Sequence, residues 1–390
     1  MMHNINRLYI IKIAKWFMLT MPILMIFYDR MGFNAQQSFI IKACYSVSIV
    51  VFEIPSGYAA DVWGRKITLV IGSILGTVGF VIYSLTDAFG AFVAAELILG
   101  LGMSFISGAD SALMYDSLKA AGRHDEYVKY EGRNFSVGNF SEAIAGLIGG
   151  ALATASIRYP FYAQTLVAFT AVPAALTLVE PPAAGGRRPR GTTDIIKVLR
   201  HAFVENIPLK WNIIYSSILG SATLAMAWVY PLRLAALGFS ELQIGTMHTA
   251  LNLVLGAVTL FAYRIELELR PKRTIWLSTV SLTVAFVLAG LAPDSCTFAT
   301  IMMLFYACRG IATPVLKDYV NRLTSSDIRA TVLSVRSLII RGFFAIVAPF
   351  FGTAADLFGI GKAFVILGII YIAATGLCIN KILGESHGQP

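Results

Sequence analysis

The sequence predicts an all-α integral membrane protein with twelve transmembrane helices arranged in two six-helix halves. The prediction rests on the composition, the spacing of apolar segments and the distribution of cations. Of the 390 residues, 57% are hydrophobic and 14% are charged, whereas a soluble domain carries roughly 25% charged residues. Such a surplus of apolar residues does not fit in a soluble core of this size. Lipid must therefore solvate most of the surface.

Twelve apolar segments, each bounded by Gly, Pro or charged residues, are long enough to cross a bilayer, which takes about 20 residues of helix. They cover residues 8–28, 38–60, 67–86, 89–114, 134–156, 160–179, 211–231, 241–263, 274–292, 297–317, 331–354 and 361–382. The first segment is strictly apolar only from Trp16, so Lys12 and Lys15 are expected to extend toward the cytoplasmic face. It lacks a small-residue cleavage site and is interpreted as an uncleaved first helix.

The formal net charge of +9 has a characteristic distribution along the chain. Nearly all Lys and Arg residues fall in alternate loops, and the opposite set of loops holds Arg30, Arg158, Arg233 and Lys362. This pattern follows the positive-inside rule. It predicts that both termini are cytoplasmic and that the number of spans is even. It also argues against nucleic acid as the partner, because the cations follow the membrane topology.

A break near the middle of the chain predicts the domain organisation. Residues 180–191 read EPPAAGGRRPRG, a composition typical of a linker. We expect an N-terminal bundle at 1–179, a cytoplasmic linker at 180–210 and a C-terminal bundle at 211–390. Within the linker, residues 194–206 mix apolar and cationic side chains. They predict a short helix on the cytoplasmic membrane surface, with a plain solvated linker as the alternative.

The most informative motif lies between the second and third apolar segments. Residues 52–66 read FEIPSGYAADVWGRK, in which an acid, a glycine turn and two adjacent cations separate two spans. The pattern Gly-x-x-x-Asp-x-x-Gly-Arg-Lys resembles the loop signature of the major facilitator superfamily of secondary transporters. The resemblance extends over the whole chain through the twelve segments, the two halves and the basic linker. It implies a fold in which the halves rock about a site near the membrane midplane.

The resemblance also implies a set of gating residues. Asp61 would lie near the cytoplasmic start of the eleventh helix and could pair with Arg336, while Arg65 could reach Asp116. Gly57 would permit close packing and Gly64 a tight turn. The alternative is that these residues fix only loop topology and insertion. The gating candidates are Gly57, Asp61, Gly64, Arg65, Lys66, Asp116 and Arg336.

Charged residues within the spans are the candidates for coupling and binding, because a charge inside a bilayer is costly. Asp110 and Glu142 are expected to carry the coupling proton, since loss of water favours the protonated acid. The alternative is a fixed salt bridge, for instance between Glu142 and Arg341. Arg309, Arg341 and Glu53 are the substrate-binding candidates. For Glu53 a structural role is the alternative, because the resembled family often carries a Glu-Ile-Pro-Ser-Gly run here.

Two features of the spans bear on the type of transport. The fifth segment resembles the glycine-rich motif of antiporters, but it has Ala145-Gly146 where that motif has Gly-Pro, so the proline is missing. Helix packing is the alternative explanation for the glycines. The glycines of this segment are Gly138, Gly146, Gly149 and Gly150. Glu96 stands where the family usually carries an arginine, so the role of that arginine does not carry over.

The sequence therefore predicts proton-coupled export, or antiport, of small organic molecules or drugs by alternating access. The alternative is a proton-coupled importer, or symporter, of an anionic or zwitterionic metabolite, favoured by Arg309 and Arg341. A membrane sensor and a lipid flippase remain open. The chain has no P-loop, no Ser-His-Asp arrangement and no metal-ligand spacing. We expect no enzyme activity, cofactor or metal, and a monomer whose partners are a small-molecule substrate, protons or sodium, and the lipid bilayer.

Overall fold

The computed structural model describes residues 1–181, 192–325 and 328–385. The regular structure in these residues is helical, with a 3₁₀ turn at His124–Glu126 and a π turn at His201–Glu205. The α-helices are α1 Met2–Trp16, α2 Leu24–Arg30, α3 Ala35–Trp63, α4 Arg65–Leu85, α5 Phe89–Ile106, α6 Ala109–Ala120, α7 Tyr127–Ala155, α8 Tyr159–Phe169, α9 Ala171–Leu176, α10 Thr192–Arg200, α11 Ile207–Ala236, α12 Glu241–Thr259, α13 Ala262–Leu291, α14 Ser295–Arg322, α15 Arg329–Phe358 and α16 Ile360–Glu385.

Nine helical stretches of the described chain are long and apolar enough to cross a membrane. The chain is therefore a multi-pass membrane protein. These stretches correspond to nine of the twelve predicted segments, and the count of twelve stays a prediction. They are Ala35–Trp63, Arg65–Leu85, Phe89–Ala120, His124–Ala155, Ile207–Ala236, Ala262–Leu291, Ser295–Arg322, Thr331–Phe358 and Ile360–Ile379.

The segments predicted at 8–28, 160–179 and 241–263 fall on shorter helices. Pro22 lies between α1 and α2, where its missing N–H and its ring prevent a continuous helix. Pro173 follows the break between α8 and α9 and cannot donate to the carbonyl of Phe169, the last residue of α8. Helix α12 ends at Thr259 after 19 residues.

The fourth predicted segment, 89–114, falls within the candidate span Phe89–Ala120, which has a short break between two helices. Helix α5 ends at Ile106 and α6 begins at Ala109. Between them Gly108 has a φ of 78°, a conformation that glycine adopts without strain. The interruption places Asp110 in the first turn of α6.

Contacts divide the chain into two units, each with its own core. Of the described residues, unit 1 contains 1–31, 44–181 and 240–249, and unit 2 contains 32–43, 192–239, 250–325 and 328–385. Unit 1 thus includes residues 240–249, which contain the start of α12. Unit 2 includes residues 32–43, which contain the start of α3. The predicted bundle boundaries at 179 and 211 stay a prediction.

The linker continues into unit 2 through a helix and a π turn. The helix expected within residues 194–206 is present as α10 and is followed by the turn at His201–Glu205. Ala202 of the turn is buried in an apolar cluster with Leu209, Ile213, Val320 and Val332. The position of the helix on the membrane surface stays a prediction, and residues 182–191 lie outside the described chain.

An apolar cluster in unit 1 fixes α1 against α6. Leu8 and Ile11 of α1 pack in this cluster with Leu113 and Leu118 of α6. In a membrane such contacts are stabilised by close van der Waals packing between the helices. Because these apolar positions set the register of the two helices, Lys15 of α1 comes to face Asp110 of α6.

Candidate functional site: a polar cluster in unit 1

Asp110 and Lys15 form an ion pair between α6 and α1. The distance from Lys15 Nζ to Asp110 Oδ2 is 3.8 Å, and each side chain is 14% exposed. The other carboxylate oxygen, Oδ1, accepts a hydrogen bond from the backbone N–H of Ser111 at 2.8 Å. One oxygen of Asp110 is thus held by its own helix while the other faces a cation on a different helix.

Helix α7 adds a second acid, Glu131. The Ser111 hydroxyl donates to Glu131 Oε1 at 2.8 Å. The other oxygen, Oε2, is buried and accepts no hydrogen bond from the described residues. Lys12 of α1 interacts electrostatically with Lys15, Asp110 and Glu131. We call Lys12, Lys15, Asp110, Ser111 and Glu131 the unit 1 polar cluster.

The unit 1 polar cluster has a composition suited to binding and moving a proton. Its two carboxylates and two ammonium groups balance when all four are ionised, and buried charges are stable only when they are paired. Protonation of one carboxylate leaves an excess positive charge, which an anionic group could neutralise. Ser111 links the two acids, because its N–H binds Asp110 and its hydroxyl binds Glu131.

Glu142, the second predicted proton carrier, faces a histidine. His248 Nε2 of α12 lies 3.7 Å from Glu142 Oε1 of α7, and the two side chains are 3% and 23% exposed. The helices are also joined by Thr249, whose hydroxyl donates to the carbonyl of Ala143 at 2.6 Å. Histidine changes charge near neutral pH, so this pair could take part in proton transfer.

The glycines of α7 are explained by close contact with neighbouring helix backbone. A Cβ on Gly146 would lie 2.8 Å from Cδ2 of His248, and one on Gly150 would lie 2.7 Å from the carbonyl oxygen of Glu241. A larger side chain at either position would force α7 away from α12. Helix packing, the alternative explanation for these glycines, is therefore sufficient to account for Gly146 and Gly150.

The predicted gating loop forms a compact junction between α3 and α4. Gly64 has a φ of 92° and precedes the first residue of α4. The guanidinium Nη1 of Arg65 donates to the Asp116 carboxylate and to the carbonyl of Ala112, the latter at 2.7 Å. This ion pair links the start of α4 to α6, as the resemblance implies.

Glu180 completes this junction from the end of the segment 44–181 of unit 1. Its carboxylate accepts hydrogen bonds from the backbone N–H groups of Arg65 at 3.0 Å and Lys66 at 2.7 Å. A carboxylate at a helix N-terminus satisfies otherwise unpaired N–H groups and is favoured by the helix dipole. We call Gly64, Arg65, Lys66, Asp116 and Glu180 the Gly64 junction.

The remaining gating candidates have different surroundings. Gly57 and Asp61 are exposed. A Cβ on Gly57 would meet no described atom within 4 Å, so the expected close packing at this glycine is absent. Arg336 lies in unit 2, where its Nε donates to the Ser216 hydroxyl at 2.8 Å.

The substrate-binding candidates lie outside the unit 1 polar cluster. The guanidinium carbon of Arg309 is 5.2 Å from the ring centroid of Tyr306 in α14. Arg341 is partly buried in α15. Glu53 of α3 accepts a hydrogen bond from the Ser107 hydroxyl at 3.3 Å. That contact anchors Glu53 to the break between α5 and α6.

Glu96 lies in a separate buried group with two tyrosines. It is 1% exposed, and its Oε1 accepts from the Tyr83 hydroxyl at 2.5 Å and the Tyr28 hydroxyl at 3.4 Å. The two tyrosine hydroxyls also bond to each other. Glu96 thus joins α2, α4 and α5. An arginine at this position would make different contacts.

Glu131, Glu180 and His248 are the site residues that sequence reasoning missed. Each gains its role from a contact with another part of the chain. Lys12 and Lys15 did carry a signal, because they interrupt the first apolar segment, but they were interpreted as interfacial anchors.

Comparison with known families agrees with this architecture. Residues 8–235, more than half of the chain, match the family model described as Major Facilitator Superfamily. No curated protein sequence matches the chain.

Solved transporter structures share the fold over nearly the full length. The nucleoside transporter NupG is 15% identical with a TM-score of 0.83, covering 97% of this chain and 98% of its own. An auto-inhibited POT family peptide transporter is 12% identical with a TM-score of 0.79, covering 99% and 97%. A D-xylose-proton symporter is 14% identical with a TM-score of 0.74, covering 96% and 95%. At these identities the likeness concerns the fold alone.

Proposed function

Because this chain belongs to the Major Facilitator Superfamily, we propose that it is a secondary transporter that imports a small polar metabolite together with protons by alternating access. The observation that carries this proposal is the unit 1 polar cluster. It places two acids and two lysines on three helices of one unit. A membrane protein that needed only a stable fold would gain little from such a group.

In the proposed cycle Asp110 takes the proton. Protonation removes the negative charge that faces Lys15 at 3.8 Å. The released ammonium group can then neutralise an anionic or zwitterionic substrate, and substrate release restores the pair. Proton and substrate therefore move in the same direction, because each compensates the charge that the other leaves unpaired.

Glu142 and His248 form a second proton-binding pair in this proposal. Their contact joins α7 to α12 at a position where Gly146 permits close approach. A change in their charge would alter the contact between the two helices. We assign them to coupling proton binding with helix movement, and Arg309, Arg341 and Glu53 remain the proposed substrate contacts.

Two lines of support favour import over export. The glycine series of α7 suggested antiport, but close helix contact accounts for Gly146 and Gly150. The similar solved structures include a D-xylose-proton symporter and a nucleoside transporter. Antiport of small organic molecules is the second candidate. Its support is the resemblance of residues 138–150 to the antiporter motif.

The proposed orientation puts both termini in the cytoplasm of a bacterial inner membrane. Its support is the distribution of cations in the sequence. Nearly all Lys and Arg residues fall in alternate loops, whereas the opposite set of loops holds Arg30, Arg158, Arg233 and Lys362. This bias is the one that sets the orientation of membrane proteins.

The test is proton movement and uptake in proteoliposomes of the purified protein. Labelled nucleosides, sugars, dipeptides and small organic acids are added under an imposed inward proton gradient. We expect one class to accumulate while protons enter with it, and accumulation to fall at least tenfold in Asp110→Asn. Proton exit on substrate entry would indicate antiport instead. Uptake without any proton movement would overturn proton coupling.

The matched control for this test is Asp318→Asn. Asp318 pairs with Arg322 on the same helix at 2.6 Å, and both side chains are about half exposed. The Asp318→Asn substitution removes one carboxylate and leaves the unit 1 polar cluster unchanged. Equal loss of uptake in both variants would mean that the effect of Asp110→Asn is not specific.

A further inference from the structure

The chain carries the first eight residues of the gating signature twice, and Ile360 and Gly361 stand where the first copy has Arg65 and Lys66. Residues 57–64 read GYAADVWG and residues 352–359 read GTAADLFG. Five of the eight positions are identical, and the others pair valine with leucine, tryptophan with phenylalanine, and tyrosine with threonine. The first copy ends α3, and the second ends α15.

The two copies share a backbone conformation as well as a sequence. Gly64 has φ 92° and ψ 154°, and Gly359 has φ 85° and ψ 156°. Each glycine stands between the end of one helix and the first residue of the next, α4 or α16. This region of φ and ψ is essentially restricted to glycine. The second copy is therefore the same helix–glycine–helix junction as the first.

At the second copy the aspartate binds the start of a distant helix. Asp356 Oδ1 accepts from the N–H of Ala35, and Oδ2 accepts from the N–H of Gln36, both at 2.9 Å. These are the first two residues of α3. Both carboxylate oxygens are used, and the charge lies at the positive end of the helix dipole.

Close packing accompanies these hydrogen bonds. A Cβ on Gly352 would lie 2.6 Å from Cα of Gln36, so only glycine allows α15 and α3 to approach this closely. One turn further into α3, the Phe39 ring meets the Phe351 ring edge to face, with centroids 5.1 Å apart. The glycine, the aspartate and the aromatic residue together tie the end of α15 to the start of α3.

The two copies of the signature act at opposite ends of the same helix. Asp61 lies in the last turn of α3, whereas Asp356 binds its first two residues. At a rise of about 1.5 Å per residue, 25 residues separate these ends by roughly 38 Å. That distance exceeds the roughly 30 Å thickness of a bilayer core. A helix of this length is long enough to place its two ends on opposite faces of a membrane.

We propose that Gly352, Asp356 and Gly359 form an outer latch, which keeps the transporter closed on the face opposite to the Gly64 junction. The inference rests on the proposed alternating access. Asp356 is a positioning residue, because it holds the start of α3 and contacts no substrate. In the outward-open state the two hydrogen bonds of Asp356 break. The first copy of the signature, at residues 57–64, then holds the other face closed.

The test measures the opening of the outer face directly. Spin labels are attached to the native Cys296 and to Ala88→Cys, both exposed positions at the starts of α14 and α5, with Cys44, Cys308 and Cys378 replaced by serine. Distances between the labels are measured by pulsed electron resonance in lipid nanodiscs at several pH values. Wild type is expected to show a short and a long distance.

Asp356→Ala should raise the ratio of the long to the short distance about fivefold, as loss of a helix cap predicts. Asp356→Asn keeps one acceptor oxygen and should give a smaller rise in the same direction. The matched control is Asp294→Ala. Asp294 caps its own helix through the N–H of Thr297 at 2.9 Å, so its loss should leave the ratio unchanged.

Two results would overturn the inference, and they differ in what they imply. If wild type shows two distances and both Asp356 variants leave their ratio unchanged, the outer latch is wrong while alternating access stands. If wild type and all variants show one distance at every pH and with every substrate class, alternating access itself is wrong. An equal rise in Asp294→Ala would show that the effect comes from helix capping in general.

Discussion

Two junctions between consecutive helices, one in each unit, have the same backbone and different side chains. In unit 1, Gly64 has φ 92° and ψ 154°. In unit 2, Arg270 within α13 has φ 64° and ψ 156°, so α13 is two helices that meet there. The sequence keeps glycine at one junction and places arginine in a strained conformation at the other.

The side chains around the two junctions explain this difference. In unit 1, Arg65 follows the glycine and bonds to Asp116. In unit 2, Pro271 stands at the corresponding position and cannot form an ion pair. The acid near that junction, Glu266, accepts a hydrogen bond from Tyr319 at 3.1 Å instead. Unit 2 thus has a junction of similar backbone shape without the ion pair of unit 1.

Breaking the ion pair of the Gly64 junction should have the largest effect of the substitutions that test this comparison. The Arg65 and Asp116 side chains are 11% and 21% exposed, so removing one leaves a largely buried charge. Asp116→Ala should lower the free energy of unfolding by about 1–3 kcal/mol and reduce transport. Thermal melting in detergent and uptake by proteoliposomes would measure both.

A double-mutant cycle separates the ion pair from the other contacts of these residues. Arg65→Ala combined with Asp116→Ala should cost less than the sum of the single changes, since no unpaired charge remains. Strict additivity would show that the two side chains do not interact. The corresponding change in unit 2, Tyr319→Phe, removes a neutral donor and should affect transport less.

Glu180→Ala should have the next largest effect. It removes the acceptor for the N–H groups of Arg65 and Lys66, which should cost about 1 kcal/mol of stability. The expected result is a lower melting temperature that Glu180→Asp restores in part. An unchanged melting temperature would mean that solvent replaces the carboxylate at no cost.

Glycine exchanges at the two junctions should have opposite signs. Gly64→Ala forces a Cβ into a strained backbone region and places it 3.2 Å from the carboxyl carbon of Glu180, so it should destabilise by roughly 1–3 kcal/mol. Arg270→Gly relieves strain of similar size and should raise the melting temperature. The rise is reduced by the conformational entropy that glycine adds to the unfolded chain. A fall in both variants would contradict the strain at Arg270.

Asp318→Ala should have the smallest effect. Its partner Arg322 lies one turn away on α14 at 2.6 Å, and the two side chains are 47% and 56% exposed. Surface pairs of this kind contribute about 0–1 kcal/mol. A melting temperature within experimental error of wild type is expected. A fall as large as that of Asp116→Ala would show that a junction-like role exists in unit 2 as well.

The sequence predicted the membrane class and the family from local signals, and the resemblance to the family implied the pairing of Arg65 with Asp116. Long apolar runs and a loop motif are properties of consecutive residues. Glu180 could not be found in this way, because its contact with Arg65 joins residues 115 positions apart. The partnership of Glu142 with His248 likewise depends on the packing of α7 against α12. The helix breaks near Pro22 and Gly108 also escaped prediction, since the residues next to each break are mostly apolar and were counted as one segment.

The central claim, that Asp110 carries the coupling proton, is tested most directly by comparing net uptake with exchange in Asp110→Asn. Exchange of labelled for unlabelled substrate across the membrane needs the binding site and helix movement but no net proton transfer. We predict that Asp110→Asn retains exchange within about threefold of wild type and loses proton-driven accumulation by tenfold or more, a difference of about 1.4 kcal/mol or more in coupling. Loss of both activities to the same extent, or retention of both, would contradict this claim.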